Sequence, residues 1–175
     1  IGKIARFSEL KGHIFLLNAF EKVIKQKPNS KLILIGDGEC KSTLMKFIDE
    51  KKLNDKIVFT GMIWPNEIPS IISILDVVVH TSLLEGLPRV FVQSLLMGKP
   101  VISFDLDGAA EVIEDGKNGY LVEPKNTEML ADRILDLIVN PSKAKSFGDY
   151  AKNNIREDFS IEAMVENNNK LFYLN

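Results

Sequence analysis

Short runs of branched and aromatic apolar residues recur along the chain, each separated from the next by a stretch with helical spacing. The runs are Leu32-Ile33-Leu34-Ile35, Ile57-Val58-Phe59, Val77-Val78-Val79, Val101-Ile102-Ser103-Phe104 and Tyr120-Leu121-Val122, with Ile1 to Ala5 opening the series as a strand entering a loop. A run such as Val77-Val78-Val79 does not alternate apolar with polar, so it reads as a strand buried on both faces. Strands of that kind alternating with helices imply right-handed crossovers and a parallel sheet covered on both sides. The expected fold class is therefore α/β, a Rossmann-like parallel sheet with helices on both faces. Ligands bind such sheets at the C-terminal edge of the strands, which directs attention to the loops that follow each apolar run.

The intervening segments supply the helices. Ile14, Leu17, Phe20 and Ile24 recur at helical spacing and predict a helix ending near Lys27-Pro28-Asn29, and Leu44, Phe47, Ile48 and Leu53 mark the next. A short helix is expected over Glu67 to Leu75, with Pro69 tolerable only in its first turn. Another is expected from Pro88 to Met97, Pro88 suiting the first helical position because its fixed φ matches a helix. Beyond Asp105-Leu106-Asp107-Gly108 a short turn should lead to the strand at Tyr120. Extra helices at the C-terminus are expected over Thr127 to Val139, Ser142 to Arg156 and Ser160 to Phe172.

With 175 residues, 45% of them hydrophobic and 26% charged, the chain can bury a substantial core as one soluble globular domain. A net charge of −2 gives no electrostatic argument for nucleic acid, and none is expected as a partner. The single Cys40 cannot form an internal disulfide, which fits a reducing compartment without demanding one. No apolar run approaches the ~20 residues needed to span a bilayer. Ile1 is not an initiator Met and the chain opens in mid-strand, so the sequence reads as a piece cut from a longer protein.

Several motifs carry two readings. Gly36-Asp37-Gly38 follows a strand and could hold a phosphate, but a tight strand-to-helix turn needs glycine regardless. The dinucleotide pattern G-x-G-x-x-G fails at Lys41, and the P-loop fails at Ile35 and Cys40. His13 and His80 have no cysteine or carboxylate at ligand spacing, and no protein-built metal site is expected. Asp105, Asp107 and Glu111 could meet a hard cation or simply be solvated. No serine stands in a G-x-S-x-G elbow. Arg6 and Lys11 lie in the loop after the first strand, where an anion would meet a bidentate fork and a point charge; ordinary surface cations are the other reading. Glu85 sits in the Gly/Pro turn after Val77-Val78-Val79, either a solvated loop carboxylate or one aimed at a ligand.

The combined pattern "IARFSELKGH", "LILIGDGE", "IVFTGMI", "DVVVHTSLLEGLPRVFVQSLLMGKPVI" and "DGAAEVIEDGKNGYLVEP" resembles the C-terminal, donor-binding half of the group 1 (family 4) retaining glycosyltransferases, over nearly the whole chain. The resemblance implies one half of a two-domain GT-B enzyme, residues 1–175 gripping a nucleotide-diphosphate sugar and facing an acceptor domain absent from this chain. It implies that Glu85 is the first carboxylate of the family's Glu-x7-Glu motif and accepts from donor-sugar hydroxyls, while Arg6 and Lys11 hold the diphosphate. It further implies donor contacts from Gly86, Leu87, Pro88, Arg89 and Val90 at a helix start, from Gln93, and from Gly61 and Ile63 beside the base. Neither metal nor cofactor is expected, since preorganised cations can stabilise the leaving diphosphate. A saccharide or lipid-linked acceptor, the N-terminal domain of the same protein, and a cytoplasmic location extending to the inner membrane face are the implied surroundings.

Three positions depart from the family. Gln93 replaces the second glutamate of the motif and so donates as well as accepts. Pro88 stands where relatives carry glycine and removes one N–H, for which Arg89 could compensate, and Ala5 replaces the glycine before Arg6, which fits only at negative φ. Two rival readings stay open at this point: a nucleotide-sugar 2-epimerase of the same architecture, and a non-catalytic nucleotide-binding module. The run Asn167-Asn168-Asn169 makes the last expected helix poor on its own, as if supported by the absent half.

Overall fold

A computed structural model describes residues 1–155 together with residues 159, 165, 166, 169 and 170. Six strands, β1 (Gly2–Ile4), β2 (Leu32–Ile35), β3 (Ile57–Gly61), β4 (Val78–His80), β5 (Val101–Phe104) and β6 (Gly119–Val122), form one sheet in the order β3-β2-β1-β4-β5-β6. Every neighbouring pair is parallel, with Lys3 opposite Leu34, Val79 opposite Ile102 and Ile102 opposite Tyr120. The chain winds outward from β1 to β3, then returns to the other side of β1 at β4. That reversal opens a crevice between the C-terminal ends of β1 and β4, and the loops that follow these two strands are brought together there.

Among the described residues, seven helices cover the sheet: α1 (His13–Gln26), α2 (Lys41–Glu50), α3 (Ile68–Ser73), α4 (Arg89–Leu96), α5 (Ala109–Val112), α6 (Thr127–Val139) and α7 (Pro141–Asn154). The pleat sends Val77, Val79, Ile102 and Phe104 to one face, where Leu16, Phe20 and Val23 of α1 and Leu130 and Ile134 of α6 cover them. Val78 and Val101 point to the other face, against Phe91 and Leu95 of α4 and Val112 of α5. Burying each such side chain fully is worth about 1.5–3 kcal/mol. Phe20 is fully enclosed.

The elements follow the sequence pattern with three differences. Pro88 is extended, with φ −66° and ψ 118°, so it caps α4 and Arg89 takes the first helical position. Proline's fixed φ is kept, but its ψ is set by the strand-end loop rather than by the helix. The stretch after Gly108 is not a bare turn; Ala109 and Val112 are buried, and that apolar pair folds the segment into α5. Pro65 to Glu67 forms a separate 3-10 turn before α3, with Pro69 in the first turn of α3 as its missing N–H requires. The helix expected over Ser160 to Phe172, and Arg156 at the end of the preceding one, lie outside the described residues except for the isolated positions named above.

Gly12 shows how tightly the two central loops approach. It has φ +60°, and a Cβ there would stand 2.0 Å from the backbone oxygen of Thr81. Glycine is therefore required both by conformation and by contact. Gly38 is likewise pressed on the backbone oxygen of Phe7, 2.5 Å from where a Cβ would be, so close backbone approach accounts for the second glycine of Gly36-Asp37-Gly38.

Candidate functional site

The loop after β1 carries Lys11 and the loop after β4 carries Glu85, residues 74 apart in sequence. Two bonds join the loops before these side chains meet: Leu83 N–H donates to Leu10 O at 2.8 Å, and the Thr81 hydroxyl donates to Gly12 O at 2.8 Å. Lys11 Nζ then donates to Glu85 Oε1 at 2.5 Å. The same oxygen lies 3.1 Å from His80 Nε2. Behind it, the Glu85 backbone N–H donates to Asp107 Oδ2 at 2.6 Å, fastening the loop to the one after β5. Asp107 accomplishes this in the left-handed region, at φ +53°, which a non-glycine residue rarely adopts.

The surroundings set the charges. The hydrogen bond from His80, followed by that from Lys11, outweighs desolvation and brings the Glu85 carboxyl down to about 2. Burial dominates at His80 and lowers it to about 4, against the upward pull of Glu85. At neutral pH the imidazole is therefore neutral and its Nε2–H is assigned as the donor to an ionised Glu85. Phe91 closes on the ring edge-to-face, with centroids 5.0 Å apart.

Arg6 does not join this group. Its Nη2 pairs with Glu39 Oε2 at 3.2 Å, in a pair whose side chains are 73% and 57% exposed. Of the three charged residues that the resemblance singles out, the structure brings Lys11 and Glu85 into contact and leaves Arg6 apart. Arg6 instead lines a neighbouring cavity of about 570 Å³ with Ala5, Gly36, Gly38, Met62 and Ile63. Ile63 is on its wall. Gly61, at φ +73° with open space around its Cα, sends its carbonyl to the Gly36 N–H at 3.0 Å. Ala5 keeps a negative φ, so the loss of glycine before Arg6 costs no strain.

The remaining sequence candidates flank Glu85. Gly86 and Leu87 are exposed, and Gly86 O accepts from Gly108 N–H at 3.4 Å. Pro88 lines the narrow space between Glu85, His80, Ser103 and Asp107, which holds only about 10 Å³. Val90 is buried, while Arg89 and Gln93 are exposed one turn apart on α4. The N–H groups of Arg89 and Val90, at the start of that helix, have no intrahelical acceptor.

Sequence reasoning missed His80 as a partner of Glu85, having weighed it only as a metal ligand, and Asp107, weighed only against a hard cation. It did not single out Lys3, a lysine wholly enclosed in β1. The available signal was a lone cationic residue inside an apolar strand. Among the described residues no three His, Cys, Asp or Glu side chains gather as a metal-binding set, and no helix is long and apolar enough to cross a membrane.

The sequence model of the family described as "Glycosyl transferases group 1" matches residues 1–154. The chain belongs to that family. Among its relatives, the poly(ribitol-phosphate) alpha-N-acetylglucosaminyltransferase of Staphylococcus aureus is 32% identical over 167 residues, which are 95% of this chain and 34% of that enzyme. The Bacillus subtilis spore coat protein SA is 29% identical over 94% of this chain and 46% of its own length. The group 1 chain therefore spans less than half of either relative. Among solved structures, S. aureus TarM in a complex containing UDP superposes with a TM-score of 0.91 at 31% identity, over 98% of this chain and 35% of that one. Anabaena HepE with UDP-glucose gives 0.91 at 28%, over 99% and 48%. The C-terminal domain of a group 1 protein, LpcC of Francisella tularensis, gives 0.80 at 28%, over 87% of this chain and 81% of that one. The six-stranded parallel sheet is thus that of the C-terminal domain of GT-B glycosyltransferases.

Proposed function

We propose that this group 1 chain is the donor-binding domain of a retaining, metal-independent glycosyltransferase, taking a sugar from a nucleotide-diphosphate donor to a saccharide or lipid-linked acceptor. The observation that carries the reading is the Lys11–Glu85–His80 group, held at the sheet's switch point with Arg6 nearby in an exposed pair with Glu39. The UDP complexes of TarM and HepE support the nucleotide-sugar part, and the S. aureus relative's name, a poly(ribitol-phosphate) glycosyltransferase, supports a role in polysaccharide biosynthesis.

Cleaving the bond between sugar and phosphate leaves negative charge on the diphosphate while the sugar becomes cation-like. Lys11, and Arg6 once released from Glu39, would take up the diphosphate charge without a metal. The exposed Arg6–Glu39 pair contributes little, so a phosphate can replace the carboxylate at small cost. The N–H groups at the start of α4 add donors. Glu85, ionised and anchored from behind, would accept from sugar hydroxyls and fix the ring. The N-terminal domain of the full-length protein would bring the acceptor, so the isolated domain binds donor without transferring it. Isothermal titration of the folded chain with UDP, GDP and their sugars tests the reading: one nucleotide series should bind, and binding of none contradicts it.

A further inference from the structure

We propose that Lys3 is a positioning residue of this site, its Nζ holding the Thr81 hydroxyl and thereby fixing the two loops that carry Lys11 and Glu85. Lys3 lies in the centre of the sheet, paired in register with Leu34 and 0% exposed. Burying an amine there costs free energy that an isosteric methionine would not. Packing alone therefore gives no reason for it.

The reason lies in what the amine reaches. Lys3 Nζ donates to Thr81 Oγ1 at 3.1 Å, and the same hydroxyl donates onward to Gly12 O at 2.8 Å. Gly12 adjoins Lys11, and Thr81 begins the loop to Glu85. One hydroxyl, oriented by one buried amine, thus ties both loops from inside the sheet. The charged groups around it are Glu85, which favours the ammonium, and Lys11, which opposes it; His13 and His80 feel it in turn and are both lowered, chiefly by burial. Burial brings Lys3 itself down to about 7, so its charge responds to anything that changes the Lys11–Glu85 balance. The role rests on the donor-site reading only for its functional meaning, since the bridge itself joins residues of the chain alone.

The test compares the wild-type chain with Lys3→Met and Thr81→Val. The first removes the amine, while the second keeps the charge and cuts the bridge. The Glu85 carboxyl is followed by 13C NMR against pH, a readout that simple filling of space would not move. Both variants should loosen the Lys11–Glu85–His80 geometry and raise the Glu85 midpoint by about one pH unit or more. Lys3→Met should also be the more stable protein below pH 7. That gain should shrink as pH rises from about 7 to 10.5, where the wild-type amine becomes neutral at no cost. An unchanged Glu85 midpoint in Lys3→Met overturns the proposal. So does a rise in Lys3→Met with none in Thr81→Val, which would leave only a through-space charge. Should Lys3→Met fail to fold, Thr81→Val decides by the same titration. UDP and GDP, each added to all three proteins, separate the two questions: if neither binds any of them, the donor-site reading fails, while the titration still decides the role of Lys3.

Discussion

Two cation–carboxylate pairs stand on the same edge of the sheet and differ in nearly everything but chemistry. Lys11–Glu85 is three-quarters enclosed, at 26% and 23% side-chain exposure, and is braced by His80, Asp107 and the Thr81 bridge. Arg6–Glu39 is open to water, at 73% and 57% side-chain exposure, and joins two surface groups by a single contact of 3.2 Å. The first pair is a fixed feature of the fold, and the second is a resting place for a long side chain. On the proposed reading, a site that recognises a diphosphate and then releases it would use both, a rigid reference point and a cation on an open side chain.

The largest expected effect comes from breaking the enclosed pair. Lys11→Ala leaves a mostly buried carboxylate without its ammonium and should cost roughly 1–3 kcal/mol of stability, read by urea unfolding. It should also weaken UDP binding by about 10- to 100-fold, read by calorimetry. Unchanged affinity would remove Lys11 from the binding chemistry.

Acid should come next. Glu85 titrates at about 2 in the fold against an ordinary 4.5, so its stabilisation is complete above pH 4.5 and is lost as pH falls from there toward 2. His80, buried neutral at about 4 against an ordinary 6.5, adds a loss of the same sign as pH falls from 6.5 to 4. Unfolding midpoints measured across pH 2–7 should therefore decline in two overlapping steps. Glu85→Gln should shrink the lower one, to which other carboxylates held below their ordinary range by partners, such as Glu114 and Asp136, also contribute.

The smallest effect belongs to the open pair. Arg6→Ala should leave the melting temperature unchanged, yet weaken UDP binding by about tenfold or less at low salt, with the loss shrinking as salt screens the charge. A marked drop in stability would mean that Arg6 is built into the fold after all, and the contrast between the pairs would disappear.

The same contrast explains how much the sequence disclosed. Val77-Val78-Val79 and Leu32-Ile33-Leu34-Ile35 announce buried strands because burial on both faces permits no polar alternation. The winding rules gave a parallel sheet with right-handed crossovers, but not the strand order that brings the two loops together, which is set by contacts distant in sequence. The pairing of Lys11 with Glu85, by contrast, spans 74 residues and has no local signature; the family resemblance named both as donor-binding but not as each other's partner. The resemblance also grouped Arg6 with Lys11, whereas in the structure its exposed guanidinium pairs with the nearer Glu39 carboxylate. Lys3 stayed hidden because one polar residue barely disturbs an apolar run, and its partner Thr81 is 78 residues away. Asp107 was visible as an acid but not as an acceptor for Glu85, a role that depends on its positive φ.

The most direct measurement is amide NMR of the folded chain titrated with UDP- and GDP-sugars. The account predicts that shifts concentrate in residues 5–13 and 80–91, including Arg6, Lys11 and Glu85. A cavity of about 470 Å³ lies at the opposite edge, lined by Ile1, Lys27, Ser30 and Asp76, and serves as the internal control. Shifts confined to that cavity, or no shifts with any donor, would contradict the assignment of the site.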